Sequence, residues 1–248
     1  MARDQCVKFQ KSQSFLECAE FYVHHFGIND KLLEEIKDLF HKKWEDGEKE
    51  EFIDDFFDTK DFKLVSKNLW LRRRCFKNSV NKDGWSIKTT NIENGYLKIK
   101  EYNDEAQITR VLADYLNFKL DETCLENDVY SILNKYSISL VEIFPTTRII
   151  LKETETFKFY IDCSGEGYSN TWFLIGGIQA HSISEISKFL EFQNKLFQLS
   201  VMSKFLQIIS WIDQHLFDNL VKIKAVPQNL YSDSHIRSDS NPIFELPV

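Results

Sequence analysis

Short runs of alternating or clustered apolar residues dominate the chain, broken at intervals by longer stretches with helical spacing. Residues 14–23 (SFLECAEFYV) are rich in aromatic and apolar groups and predict a first strand, and Asn29 with Asp30 predicts the start of a helix reaching about Trp44. An acidic turn is expected at Asp46–Glu51, then a strand at 52–58 (FIDDFFD), then a polar connection containing Asp61–Asn68. Leu69–Phe76, Trp85–Thr90 and Tyr96–Tyr102 read as a meander, punctuated by Asn81-Lys82-Asp83-Gly84 and by Asn94-Gly95. Helical stretches follow at 104–117 and about 125–136, strands at about 138–152, 156–163 and 171–179, and helices at about 183–199 and 202–221.

About eight strands with helices inserted between them predict an α+β domain: an eight-stranded antiparallel barrel with helices packed outside it. No boundary between two domains is visible, so residues 1–226 are expected to form one unit and the Ser- and Asp-rich residues 227–248 a C-terminal tail. The last two helical stretches are apolar on more than one face, which fits burial against the sheet first and a partner interface second.

Composition narrows the function classes. Asp and Glu number 38 against 31 Lys and Arg, and the net charge of −7 argues against a nucleic-acid binder. With 21 Phe, 9 Tyr and 5 Trp but only 8 Gly and 4 Pro, a disordered or collagen-like chain is excluded. No signal peptide opens the sequence and no apolar run reaches membrane-spanning length, so a cytoplasmic protein without membrane contact is expected. The five cysteines lack any C-x-x-C pair and read as small buried hydrophobes.

The chemistry lies in the meander. In Trp-Leu-Arg-Arg-Arg at 70–74, alternation sends Arg72 and Arg74 to one face and Arg73 to the other. Lys88 closes the next strand, and Lys98 and Lys100 share a face of the one after, opposite Leu97 and Ile99. If Leu97 and Ile99 pack under outer helices, the lysines point into the barrel, where several cations require an anion or acidic side chains to neutralise them. A solvated basic sheet face is the plainer reading of the same pattern.

The run FFDTKDFKLVSKNLWLRRR, followed by GWSIK and YLKIKEY, resembles the thiamine triphosphatases of the CYTH superfamily, also called triphosphate tunnel metalloenzymes. Their pattern there is close to YYDTP-x-L-x-L, then WLRRR, GWELK and YKE. The resemblance implies an eight-stranded tunnel in which Arg and Lys bind a triphosphate and glutamates hold Mg²⁺ or Mn²⁺. Carried over, it assigns phosphate binding to Arg72, Arg74, Lys88, Lys100, Arg148 and Lys204.

The acids match poorly. The family's opening Glu-x-Glu-x-Lys falls on Glu17, Ala19 and Phe21, and its later Glu-x-Glu falls on Trp172 and Leu174. Of an Asp-x-Asp-like segment, Asp162 remains and Tyr160 replaces the other acid. The resemblance thus leaves Glu17 and Asp162 as catalytic residues and weak ligands for Mg²⁺ or Mn²⁺, with Ala19, Phe21, Tyr160, Trp172 and Leu174 making part of the lumen apolar.

A cavity part cationic and part apolar suits a small molecule with a phosphate head and an apolar or aromatic body. The expected function is therefore a thiamine triphosphatase-like tunnel that binds a di- or triphosphorylated organic molecule and hydrolyses it weakly or not at all. Two alternatives stay open: diphosphate-leaving-group chemistry on an isoprenoid-like substrate, and a non-catalytic ligand-sensing or interaction protein. His24, His25 and His41 read as surface or structural histidines, and Gly165-Glu166-Gly167 and Gly176-Gly177 as turns and a bulge.

Overall fold

The computed structural model describes residues 18–28, 30–40, 48–78, 83–94, 96–117, 128–165, 172–192 and 218. Within these residues the chain runs β1 (Ala19–Gly27), α1 (Asp30–Phe40), β2 (Glu48–Thr59), a 3₁₀ turn at Val65–Lys67, β3 (Leu69–Phe76), β4 (Gly84–Glu93) and β5 (Tyr96–Tyr102). It continues through α2 (Glu105–Leu116), α3 (Val129–Lys135), β6 (Ile138–Glu153), β7 (Phe157–Gly165), β8 (Trp172–Ala180) and α4 (Ile183–Phe192). The strands close into a barrel in the order β1-β5-β4-β3-β2-β6-β7-β8, with every neighbouring pair antiparallel. Closure pairs both edges of every strand, which removes the unpaired backbone rows of an open sheet.

Local signals explain most of the elements. Asp104 and Asp128 cap α2 and α3, their side chains accepting the backbone N–H of Gln107 and Ser131. Asn117 ends α2 and Asn94 ends β4, both at positive φ, a conformation that asparagine adopts at little cost. After β2 the buried Asp58 carboxylate accepts the backbone N–H groups of Thr59, Leu64 and Val65 and so ties the strand end to the 3₁₀ turn. The Asp-Thr of the resemblance motif is therefore a structural clasp at this point.

Three expectations for the elements change. The acidic turn at Asp46–Glu51 is instead, from Glu48 on, the start of β2, because the long β6 extends the ladder and pairs Glu48 with Ile150 and Glu50 with Arg148. The first strand runs to Gly27 through His24 and His25, which are buried and so take the structural one of their two expected roles. Gly176 and Gly177 are ladder residues within β8 rather than turn or bulge residues, opposite Ile161 and Tyr160. The helical stretch at 202–221, apart from Asp218, and the tail at 227–248 lie outside the described residues.

Two outer cores place the helices. Leu69, Leu71, Trp85 and Ile87 of β3 and β4 pack against Ile108, Leu112, Val129 and Ile132 of α2 and α3. Phe26, Ile149, Phe159, Ile161, Leu174 and Ile178 pack with Ile36 of α1 and Ile186 of α4. Fully burying one such side chain is worth ~1.5–3 kcal/mol. By strand alternation the intervening residues face the lumen.

Candidate functional site

The inward face has an apolar part and a charged belt. Phe21, Val23, Leu97 and Ile99 form a buried cluster that, among the described residues, includes none from a helix, with Phe21 opposite Ile99 and Val23 opposite Leu97. This corrects the orientation of β5: Leu97 and Ile99 face the lumen, and Lys98 and Lys100 point outward. Lys100 pairs with Glu20 at 2.7 Å and Lys98 with Glu93 at 3.2 Å on the outer surface. An apolar lumen accepts the Leu97/Ile99 side as readily as a helix-covered face does, so the side that looked like core was core of a different kind.

The belt holds Arg72 and Arg74 from β3, Lys88 from β4 and Arg148 from β6. Its acids are Asp54 of β2, Glu101 of β5 and Asp162 of β7. Asp54 receives Arg74 Nε and Nη2, both at 2.6 Å, and Arg72 Nη1 at 3.1 Å. Asp162 receives Arg148 Nε at 2.7 Å and Nη2 at 2.9 Å. Glu101 receives Arg72 Nη2 at 2.9 Å on one oxygen and lies 3.5 Å from Lys88 Nζ with the other. The remaining Arg72 donor, Nε, reaches Ser86 Oγ at 2.9 Å.

Aromatic rings take the guanidinium faces. Arg74 lies 3.6 Å from the Phe52 centroid, Arg148 lies 5.4 Å from the same ring, and Arg148 lies 3.9 Å from the Tyr160 centroid. Arg74, Phe52, Arg148 and Tyr160, on the consecutive strands β3, β2, β6 and β7, thus form a cation–π stack across the lumen. Tyr160 fits because Gly177 lies opposite it: a Cβ there would sit 2.2 Å from the ring, as one at Gly176 would meet Phe26 at 2.1 Å on the outer side. The Tyr160 hydroxyl lies 3.4 Å from His25 Nε2.

Burial and partners set the ionisation. Burial pushes Lys88 down to about 7, Arg72 beside it pushes the same way, and Glu101 only partly offsets them. Burial alone would raise Glu101, but Lys88, Arg72 and Arg74 outweigh it and hold the carboxyl down at about 2. Burial also works against Arg148, yet the adjoining Asp162 carboxylate more than reverses it. The Tyr160 phenol is pushed up to about 12, chiefly by burial. Burial lowers His24 to about 4, so it sits as a neutral core histidine.

Arg72, Arg74, Lys88, Arg148, Phe21 and Tyr160 face inward, and Arg73 faces outward opposite Asp55. Lys100 is a correction, as above. So is Leu174, which belongs to the outer core under the helices. On β8 the inward positions are 173, 175 and 177, so the expectation for Leu174 is one residue out of phase, and the Trp172 side chain lies outside what the structure describes. Ala19 stands on the same side as Phe21 but is exposed. Asp162, expected to hold a divalent ion, has both oxygens on Arg148. Glu17 and Lys204 lie outside the described residues.

Sequence reasoning missed Asp54 and Glu101, the acids that neutralise the cations from within. The signal was present: Asp54 lies two residues after Phe52 and two before Phe56 in a strand of alternating character, and Glu101 adjoins Lys100 on the other phase of β5. Asp54, Glu101 and Asp162 do not fit the divalent ion that the resemblance implies, because each is engaged by one or two cations. Among the described residues no group of three or more His, Cys, Asp or Glu side chains is arranged to hold a metal.

No protein-family model and no curated protein matches the sequence. Solved structures do. A candidate adenylyl cyclase from Hippeastrum, HpAC1, in which a triphosphatase activity is dominant, is 15% identical with a TM-score of 0.52, over 78% of this chain and 96% of that one. A candidate adenylate cyclase from Bacillus halodurans is 14% identical with a TM-score of 0.47, over 77% of this chain and 96% of that one. PH1819 from Pyrococcus horikoshii is 15% identical with a TM-score of 0.47, over 77% of this chain and 99% of that one. The likeness to the Hippeastrum protein gives this chain the same fold, a closed eight-stranded antiparallel tunnel with helices outside it.

Proposed function

We propose that this protein binds a phosphorylated organic small molecule in its barrel lumen, the phosphate on the Arg and Lys belt and the organic body on the apolar cluster. One observation carries the reading: a half-buried belt with Arg72, Arg74, Lys88 and Arg148 stands beside the inward-facing, buried Phe21, Val23, Leu97 and Ile99. Lys88 Nζ joins the two, 5.8 Å from the Phe21 ring centroid. A guanidinium offers paired, charge-assisted N–H donors to a phosphate, and the adjoining hydrocarbon side chains favour a ligand that is not itself only charge. Asp54, Glu101 and Asp162 already offset most of the positive charge, so a mono- or diphosphate ester suits the belt better than free triphosphate. Metal-assisted hydrolysis is not part of this reading, since Asp54, Glu101 and Asp162 are committed to cations.

The internal ion pairs favour one further reading, a barrel kept as a scaffold with a self-neutralised lumen. Thermal shifts with inorganic pyrophosphate, inorganic triphosphate, thiamine diphosphate, thiamine triphosphate and a prenyl diphosphate separate the two. The organic phosphates should raise the melting temperature by mass action, more than inorganic triphosphate does, and Arg72→Ala should abolish the shift. No shift with any probe would favour the scaffold, and a full shift in Arg72→Ala would move the ligand out of the belt.

A further inference from the structure

The three carboxylates ion-paired with the belt do not hold their cations alike. Asp54 and Arg74 are cross-strand neighbours, as are Asp162 and Arg148, and each pair makes two guanidinium hydrogen bonds of 2.9 Å or less. These two acids are 4% and 1% exposed. Both arginines also have a ring on the guanidinium face. Their edges and faces are occupied together, and displacing either acid would strand a buried guanidinium.

Glu101 also faces a cross-strand cation, Lys88, but holds its cations differently. It is 13% exposed, and its side chain carries one more rotatable bond than an aspartate. Its two oxygens go to two different cations, Arg72 Nη2 at 2.9 Å and Lys88 Nζ at 3.5 Å, on two different strands. A terminal phosphate bridges cations in the same way, with one oxygen on each. If Glu101 turned away, Arg72 would keep Ser86 and Asp54, and only one guanidinium nitrogen and the ammonium would be released. Ala19, the cross-strand neighbour of Glu101, is exposed.

We propose that Glu101 is a built-in occupant of the anion site, bridging Arg72 and Lys88 in place of a ligand phosphate, and that a ligand binds by displacing it. Arg74 and Arg148 then fix the belt and do not contact the phosphate. The inference rests on the phosphate-binding reading above and narrows it to one exchangeable position. A ligand must compete with a tethered carboxylate, so the wild-type protein binds phosphate more weakly than its cations alone would allow.

The test is calorimetric titration with inorganic phosphate, inorganic pyrophosphate and phenyl phosphate at pH 6, where Lys88 is charged, on the wild type, Glu101→Gln and Glu101→Asp. Glutamine keeps the shape and loses the charge, so pyrophosphate and phenyl phosphate should bind about tenfold more tightly or better, a change of ~1.4 kcal/mol or more. Aspartate is too short to bridge both cations and should give a smaller gain. If the wild type binds and a folded Glu101→Gln binds equally or more weakly, the displacement idea is overturned while the phosphate reading stands. If Glu101→Gln loses its circular dichroism signal, Glu101→Asp decides, and no gain there overturns the idea. If neither the wild type nor a folded variant binds any probe, the phosphate reading and this inference fall together.

Discussion

Lys88 and Lys100 sit on adjacent strands, each within reach of a glutamate, and behave oppositely. Lys100 is 44% exposed, its Glu20 partner lies at 2.7 Å, and that contact raises its pKa. Lys88 is 23% exposed, its Glu101 partner lies at 3.5 Å, and burial brings it to about 7. The difference lies in solvent and neighbours. Outside the barrel, water carries the charge and the ion pair adds little. Inside, two arginines crowd the ammonium and the shared carboxylate cannot restore what desolvation removes. A basic residue on a barrel strand therefore gains its chemistry from the side it faces.

The sharpest way to break this contrast is to unbalance the interior. Asp162→Asn leaves the buried Arg148 guanidinium without its carboxylate and should cost ~3–5 kcal/mol in urea denaturation. A loss below ~1 kcal/mol would mean that water reaches this pair and that inside and outside do not differ as argued.

Next comes pH. Folded Lys88 releases its proton at about 7, while the unfolded chain holds it to the ordinary 10.5. The unfolded state thus binds more protons between those values, and stability should rise with pH across that window, by at most ~1.4 kcal/mol per unit. Below pH 7 both states are charged and this contribution flattens. Lys88→Met should remove the slope and Lys100→Met should leave it, a pairing read from denaturation midpoints between pH 7 and 10.

A smaller effect tests how the stack is seated. Gly177→Ala sets a Cβ 2.2 Å from the Tyr160 ring and should cost ~1–3 kcal/mol through displacement of that ring from Arg148. Combining it with Tyr160→Leu should recover part of the loss relative to Tyr160→Leu alone. The smallest effect belongs to the outer face. Lys100→Ala should change stability by less than ~0.5 kcal/mol and leave phosphate binding intact. Loss of binding there would return Lys100 to the site.

Much of this could be read along the chain. The meander from Leu69 to Tyr102 and the eight-strand count follow from apolar runs and turn residues, and the barrel follows from their order. The separation of Arg72 and Arg74 from Arg73 follows from a period of two, which backbone geometry imposes on any strand. Other details were hidden by the same rule. Alternation divides β5 into Leu97, Ile99 and Glu101 against Lys98 and Lys100, and β8 into 172 and 174 against 173, 175 and 177, but it does not say which set faces in.

In an ordinary sandwich the apolar set faces the core and the question answers itself. A closed barrel with helices outside has two cores, one in the lumen and one under the helices, and both accept leucine and isoleucine. Sequence alone therefore determined the strands, their order and the two faces of each. Only closure of the barrel decided which face enclosed the charges: Asp54 with Arg74, Lys88 with Glu101 and Arg148 with Asp162 pair between neighbouring strands in any case, but the six strands that carry them must wrap together before these pairs line one lumen.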